Sequence, residues 1–236
     1  MRNRRVGEGG SRGITLIELL VVVGLMGLFM GGVVLGLGAT TNARIKGSAT
    51  TIAGAVRVAF SRSASTSKSV RVVFDLDNNT IAIEEADLPM LIRRDDKTRT
   101  SGAQASTPQE LAATKEAERI SKGPTSPRAV FRPVRALGFE TDEGSMGRAL
   151  GGGVAIRRVE VAHAEEPITS GRAYLYFWPG GQTERAAIQL GRAGEVRDDN
   201  VITVLVSPLT GRVRIEAGAK SMERSREDSE REDRKF

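Results

Sequence analysis

Few residues in this 236-residue chain are of a type that performs chemistry. There is no Cys, which removes disulfides, thiol nucleophiles and Cys-ligated zinc or iron–sulfur centres. His163 is the single imidazole, so a Ser-His-Asp triad would rest on it alone. It sits in Val161-Ala162-His163-Ala164-Glu165-Glu166 at a strand exit, with no partner cluster nearby in sequence, and reads as a surface histidine. Asp75-x-Asp77-Asn78-Asn79 has oxygen ligands at calcium-loop spacing but lacks the Gly at the sixth position and the distant Glu of an EF-hand. Hairpin-turn chemistry explains it better. Asp198-Asp199-Asn200 reads as a loop before a strand, and Leu150-Gly151-Gly152-Gly153 lacks the Lys-Ser/Thr of a phosphate loop and reads as a flexible turn. Trp178, ahead of Pro179-Gly180-Gly181, reads as a packing residue, and Arg93, Arg94, Lys97 and Arg99, interrupted by Asp95 and Asp96, as a solvated loop. No catalytic residue, metal or cofactor is expected.

Glu18 stands apart. Ile14 to Leu37 is a run of 24 residues in which it is the only charged one. As a helix that run is about 36 Å long, enough for a bilayer core of about 30 Å. A carboxylate inside such a span costs roughly 2.5–3.5 kcal/mol, less near the interface, and commonly marks function. The run is too long for the apolar region of an ordinary secretory signal, and the helical pattern continues beyond it. Arg2, Arg4, Arg5 and Arg12 precede it, which sets the N-terminus on the cytoplasmic side and the bulk of the chain outside. Gly27-x-x-x-Gly31 and Gly32-x-x-x-Gly36 have the small-residue spacing of closely packed helices.

The string Gly13-Ile14-Thr15-Leu16-Ile17-Glu18-Leu19-Leu20-Val21-Val22-Val23 resembles the class III signal of type IV pilins and type II secretion pseudopilins. The resemblance implies that residues 1–13 are a leader cut off after Gly13 by a prepilin peptidase. Ile14 then becomes an N-methylated first residue, where the family more often has Phe, and Glu18 the fifth. It also implies partners: other pilins or pseudopilins along the N-terminal helix, and an inner-membrane assembly platform.

Beyond residue 37, Ile45, Ala49, Ile52, Ala53, Val56, Phe60 and Ala64 recur at helical spacing and form one stripe. The helix is therefore expected to continue as an amphipathic half over 38–66, ended by Ser63-Ala64-Ser65-Thr66-Ser67. Strands are expected at Val70–Leu76 and Thr80–Glu85 around a turn, then at Gly153–Val161, Arg172–Phe177 and Ala186–Leu190. Val201–Val206 and Arg212–Glu216 flank Ser207-Pro208-Leu209-Thr210-Gly211 as a further hairpin. An antiparallel sheet covering the helix makes an α+β, pilin-like head over 67–217. Residues 93–128 read as a surface insertion with a short helix at Pro108–Ile120, and 218–236 as a charged, solvated tail.

Of the formal net charge of +6, residues 1–13 carry +3 and residues 220–236 balance six bases against six acids, which leaves +3 for residues 14–219. Nucleic acid is therefore not an expected partner. The order of elements resembles the H-type minor pseudopilins of type II secretion and the FimT-like minor pilins. It implies a non-enzymatic subunit of the pseudopilus tip or initiating complex, held in the inner membrane with its head in the periplasm. The alternatives are a FimT-like type IV pilin acting in pilus assembly or DNA uptake, and an enzyme tethered by an uncleaved anchor.

Overall fold

The computed structural model describes residues 15–90, 100, 102–120, 128–134, 138–139, 147–195 and 200–222, except for the side chains of 31–40 and 118–120. The leader, the basic cluster 93–99, Asp198-Asp199 and the tail beyond 222 lie outside those residues. The chain forms two compact units, Met1–Thr40 and Thr41–Phe236. A single helix, α1 (Leu16–Thr66), supplies residues to both.

In the second unit, α1 buries Ile45, Ser48, Ala49, Ile52, Ala55, Val56, Ala59 and Ser63, which recur every three or four residues along one face. The expected stripe is correct at Ile45, Ala49, Ile52 and Val56. Ala64, placed on it by spacing, is exposed, and the face runs instead through Ala55, Ala59 and Ser63. The helix ends where the hydroxyls of Ser63, Ser65 and Thr66 turn back to donate to the carbonyls of Phe60 and Arg62. Ser67 follows at φ 54°, the left-handed position that closes many helices.

Among the described residues ten strands follow: β1 (Ser69–Asp75), β2 (Thr80–Ala86), β3 (Arg132–Pro133), β4 (Arg148–Ala149), β5 (Val154–Val161), β6 (Arg172–Trp178), β7 (Gln182–Thr183), β8 (Ala186–Arg192), β9 (Ile202–Val206) and β10 (Val213–Ala217). Helix α2 (Pro108–Ile120) lies at its predicted bounds. In place of one sheet there are two antiparallel ones, ordered β3-β2-β1-β6-β7, with β4 also on β2, and β10-β9-β8-β5. The division follows from non-local pairing, since β6 returns to β1 while β5 pairs with β8. Both sheets turn apolar faces to α1. Val70, Val72, Phe74, Leu175 and Phe177 from the first join Ile156, Val159, Ile188 and Val204 from the second in one core with Ile52 and Val56.

Every residue of β1 is buried, so the first sheet is covered on its outer face as well. There Val73, Ala82, Met90, Tyr174 and Tyr176 pack with Ala103 and Ala129. The described residues of the expected surface insertion thus include part of a second core.

Two turns close on Phe60. Gly181 (φ 82°) and Gly211 (φ 61°) both take left-handed backbone, and a Cβ at Gly211 would stand 2.7 Å from the Phe60 ring. Gly211→Ala should therefore cost about 1–3 kcal/mol by backbone strain plus overpacking. Denaturant unfolding followed by the fluorescence of Trp178, the single tryptophan, measures it.

Glu85 ties the end of α1 to the first sheet. It accepts Arg62 Nε at 2.7 Å and Lys68 Nζ at 3.1 Å. The Arg62 hydrogen bond holds its carboxyl below the usual glutamate range against the opposing effect of burial, with Lys68 adding to it. A depressed carboxyl stabilises the fold above its unfolded-state value and loses that stabilisation as pH falls through the folded-state one. Between about pH 6 and pH 3, Glu85→Gln should lose less stability on acidification than the parent chain, read from denaturation midpoints.

Candidate functional site

The start of α1 is built by a cap. Thr15 stands one residue before the helix, its Oγ1 accepts the Glu18 N–H at 3.3 Å, and its carbonyl accepts the Leu19 N–H at 3.2 Å. Thr15-Leu16-Ile17-Glu18 is a capping-box sequence with Glu18 at the third helical position. The carboxylate lies in the first turn, where unpaired N–H groups favour negative charge. The T-x-x-E spacing was the available sign of this role, which the reading of Glu18 as an anomalous charge missed.

From Leu16 to Met30, the large apolar side chains point outward around the whole helix. Twelve of them are 45–84% exposed, from Val22 to Leu16. So much contiguous apolar surface is far beyond the few hundred Å² normal for a soluble monomer. A Cβ at Gly27 would meet nothing within 4 Å, so this side of the helix is open to a close neighbour. The side-chain surroundings of Gly31, Gly32 and Gly36, and the Gly13–Ile14 bond, lie outside the described residues. Among the described residues, no helix is long and apolar enough to cross a membrane.

A second constellation occupies the outer face of the first sheet. Arg71 sits at zero exposure in the middle of β1, opposite Glu84 on β2 and Tyr176 on β6. Its Nε and one terminal nitrogen bond the same Glu84 oxygen at 2.7 and 2.6 Å, and that terminal nitrogen also donates to Ser106 Oγ at 2.7 Å. The guanidinium lies over the rings of Phe131 and Tyr174, 4.4 and 4.2 Å from their centroids. Burial is the largest single effect and works against the charge, but Glu84 together with the Tyr176 and Tyr174 phenols more than offsets it and raises the guanidinium pKa above its ordinary value.

The network continues into the insertion. Tyr174 donates to Glu110 Oε1 at 2.6 Å, and the other Glu110 oxygen accepts the N–H groups of Ser106 and Thr107 while Thr107 Oγ1 accepts the Glu110 N–H. That is the capping box of α2, so one carboxylate both starts the helix and seats it on the sheet. Tyr176 donates to the Thr100 carbonyl at 2.8 Å. Burial pushes both phenols above their ordinary range, which keeps them protonated and donating.

His163 is corrected by the structure. Its side chain has no exposure, and Nδ1 stands 2.8 Å from a Glu184 oxygen that also accepts its backbone N–H. The other Glu184 oxygen accepts the Tyr176 N–H, and the imidazole packs on the Tyr176 ring. The partner lay 21 residues away on the turn into β8, out of reach of local reading. Asp75-x-Asp77-Asn78-Asn79 works as turn chemistry. Asp75 accepts both the Asn78 N–H and its side-chain amide, Asp77 accepts the Gly171 N–H, and Asn79 accepts the Ile156 N–H. The Leu150–Gly153 turn, read as flexible, is docked on α1, where Gly151 donates to Ser48 Oγ and Arg44 to the Gly152 carbonyl. Trp178 packs and donates to the Met90 carbonyl at 3.0 Å. The expected solvated tail begins instead as a strap over the second sheet, with residues 218–222 bonded to Thr203, Gln189 and Glu160.

A cleft of about 820 Å³ opens beside the start of α2, lined by Asp75, Asp77, Glu110 and Arg172 among others. Its three carboxylates are engaged in the turn and cap bonds described above. The Arg71 cluster therefore reads as the device that holds the insertion, and the N-terminal helix as the surface left for function. Arg71→Met should cost about 3–5 kcal/mol by leaving Glu84 buried without its charge partner, while Glu84→Leu combined with it should recover part of that loss. Trp178 fluorescence in denaturant reads both.

No protein-family model and no curated protein sequence matches the chain. Two solved structures of the minor pseudopilin EpsH from the type II secretion system of Vibrio cholerae are similar to it. One is 12% identical with a TM-score of 0.41, covering 75% of this chain and 99% of that one. The other is 13% identical with a TM-score of 0.42, covering 77% and 99%.

Proposed function

We propose that the chain is a pseudopilin of a type II secretion system, a structural subunit of the pseudopilus tip or initiating complex. The observation that carries this reading is Glu18. It is the one charge in the apolar run 14–37, it stands five residues after Gly13, and it lies in the first turn of a helix whose described apolar side chains are uncovered. An apolar helix exposed all round is matched by lipid before assembly and by other helices afterwards.

Cleavage after Gly13 by the prepilin peptidase leaves the α-ammonium on Ile14, immediately before the Thr15 cap. In a bundle of such helices, Glu18 of one subunit faces the ammonium of the next. A carboxylate in low dielectric is costly alone and far less so when paired, so this contact selects one axial register. Gly27, Gly31, Gly32 and Gly36 then allow close helix approach. In this reading the whole run 14–37, of which the described side chains cover only 15–30, anchors the precursor in the inner membrane, the basic leader stays cytoplasmic, and the head from residue 41 lies in the periplasm.

Intact-mass and N-terminal analysis of the native protein tests the processing step. A methylated chain beginning at Ile14 is expected, and a chain still beginning at Met1 overturns the reading. Glu18→Ala should be processed and inserted but fail to enter the pseudopilus, scored by cross-linking to neighbouring subunits and by secretion. Unchanged assembly rejects the register role of Glu18.

A further inference from the structure

The strand order leaves one long edge open. The first sheet ends in two-residue strands, β3, β4 and β7, which offer little to pair with. In the second sheet, β5 is covered at its centre, where Val159 and Ile168 exchange two backbone hydrogen bonds of 2.9 and 2.8 Å. At the other end, β10 has five residues and among the described residues pairs only with β9.

The hydrogen-bond phase of β10 follows from its ends. Ser207 donates to the Arg212 carbonyl at 2.9 Å and Gly218 to the Val201 carbonyl at 2.7 Å, so positions 212, 214, 216 and 218 face β9. The N–H and C=O groups of Val213, Ile215 and Ala217 point away from the sheet, and no described residue bonds them. Side chains alternate independently. Val213 packs against the core, Ile215 on the same side is 45% exposed, and on the other face lie Arg214, exposed, and Glu216, half-buried. Neither Arg214 nor Glu216 has an ion-pair partner among the described residues.

We propose that this edge pairs with the β10 edge of a second copy of the chain, antiparallel and centred on Ile215. Val213-Arg214-Ile215-Glu216-Ala217 is self-complementary when reversed. Ile215 meets Ile215 of the second copy, Val213 meets Ala217, and Arg214 meets Glu216 twice across the two-fold axis. The outward-facing residues 213, 215 and 217 fall opposite 217, 215 and 213, so all three pairs are hydrogen-bonded ones and six backbone bonds form. Both unpaired charges find opposite partners on the same face, and the half-exposed Ile215 covers its symmetry mate. A one-residue slip puts outward-facing positions opposite inward-facing ones. A two-residue slip sets Arg214 or Glu216 against its own like charge. The two-fold relation makes this an isologous contact that closes on itself, separate from contacts along the N-terminal helix.

The absence of Cys makes the test direct. In the full-length chain in detergent, Ile215→Cys places two thiols on opposing residues about 5.5 Å apart at Cα, within disulfide range. Oxidation should give a disulfide-linked dimer, whereas Arg214→Cys, offset by two residues from its own copy, should give at least about fivefold less. Adding Arg214→Glu to the Ile215→Cys chain sets like charges opposite and should cut the yield about tenfold, and Glu216→Arg on top should restore it. Absence of the Ile215 cross-link, equal cross-linking at both positions, or indifference to the charge swap overturns the proposal. None of these results bears on N-terminal processing, so this contact can fail while the pseudopilin reading stands.

Discussion

A positive charge with no access to solvent organises the outer half of the head. Arg71 sits in the central part of the first sheet, and burying a guanidinium is tolerable only if its charge is matched and most of its donors are satisfied. Glu84 supplies the charge from the neighbouring strand, Phe131 and Tyr174 supply π faces, and Ser106 supplies an acceptor from the segment ahead of α2. These partners come from four separate stretches of chain. The insertion is thereby tied to the sheet by specific polar bonds as well as by apolar contact. Such networks are strongly coupled, since removing one member strands the others in low dielectric.

Glu110 and Glu184 extend the same logic. Each is a single carboxylate whose two oxygens serve different elements. Glu110 starts α2 and receives the Tyr174 hydroxyl; Glu184 receives the Tyr176 N–H and holds His163. The two tyrosines lie stacked at 6.2 Å, so the carboxylates meet neighbouring positions on one strand. The inner face is different in kind. There, apolar side chains from α1 and both sheets make up the packing, and precision comes from shape, as where two left-handed glycines admit the Phe60 ring.

The N-terminal part of α1 reverses these rules. Its apolar side chains are uncovered, and its only described charge sits at a helix N-terminus that already favours an anion. Capping by Thr15 and a functional role for Glu18 are compatible. The cap uses the Glu18 backbone N–H, which leaves the side-chain carboxylate available to a neighbour.

Local pattern was enough to read the elements. The long helix, its serine-rich end, α2 and the seven longer strands all follow from periodicity and turn residues, because those signals act over a few residues. Even the Arg71–Glu84 pairing was implicit, since a turn at Asp77-Asn78-Asn79 sets those residues opposite each other across the hairpin. Their burial was not implicit. It depends on partners 35, 60 and 103 residues away, at Ser106, Phe131 and Tyr174, and loop-like composition in the insertion gave no sign of it. The split into two sheets, the enclosure of His163 by Glu184 and the strap at 218–222 share that cause. Each is decided by which distant strand or side chain closes the contact, a choice made by total packing and polar satisfaction over the whole head rather than by any window of sequence.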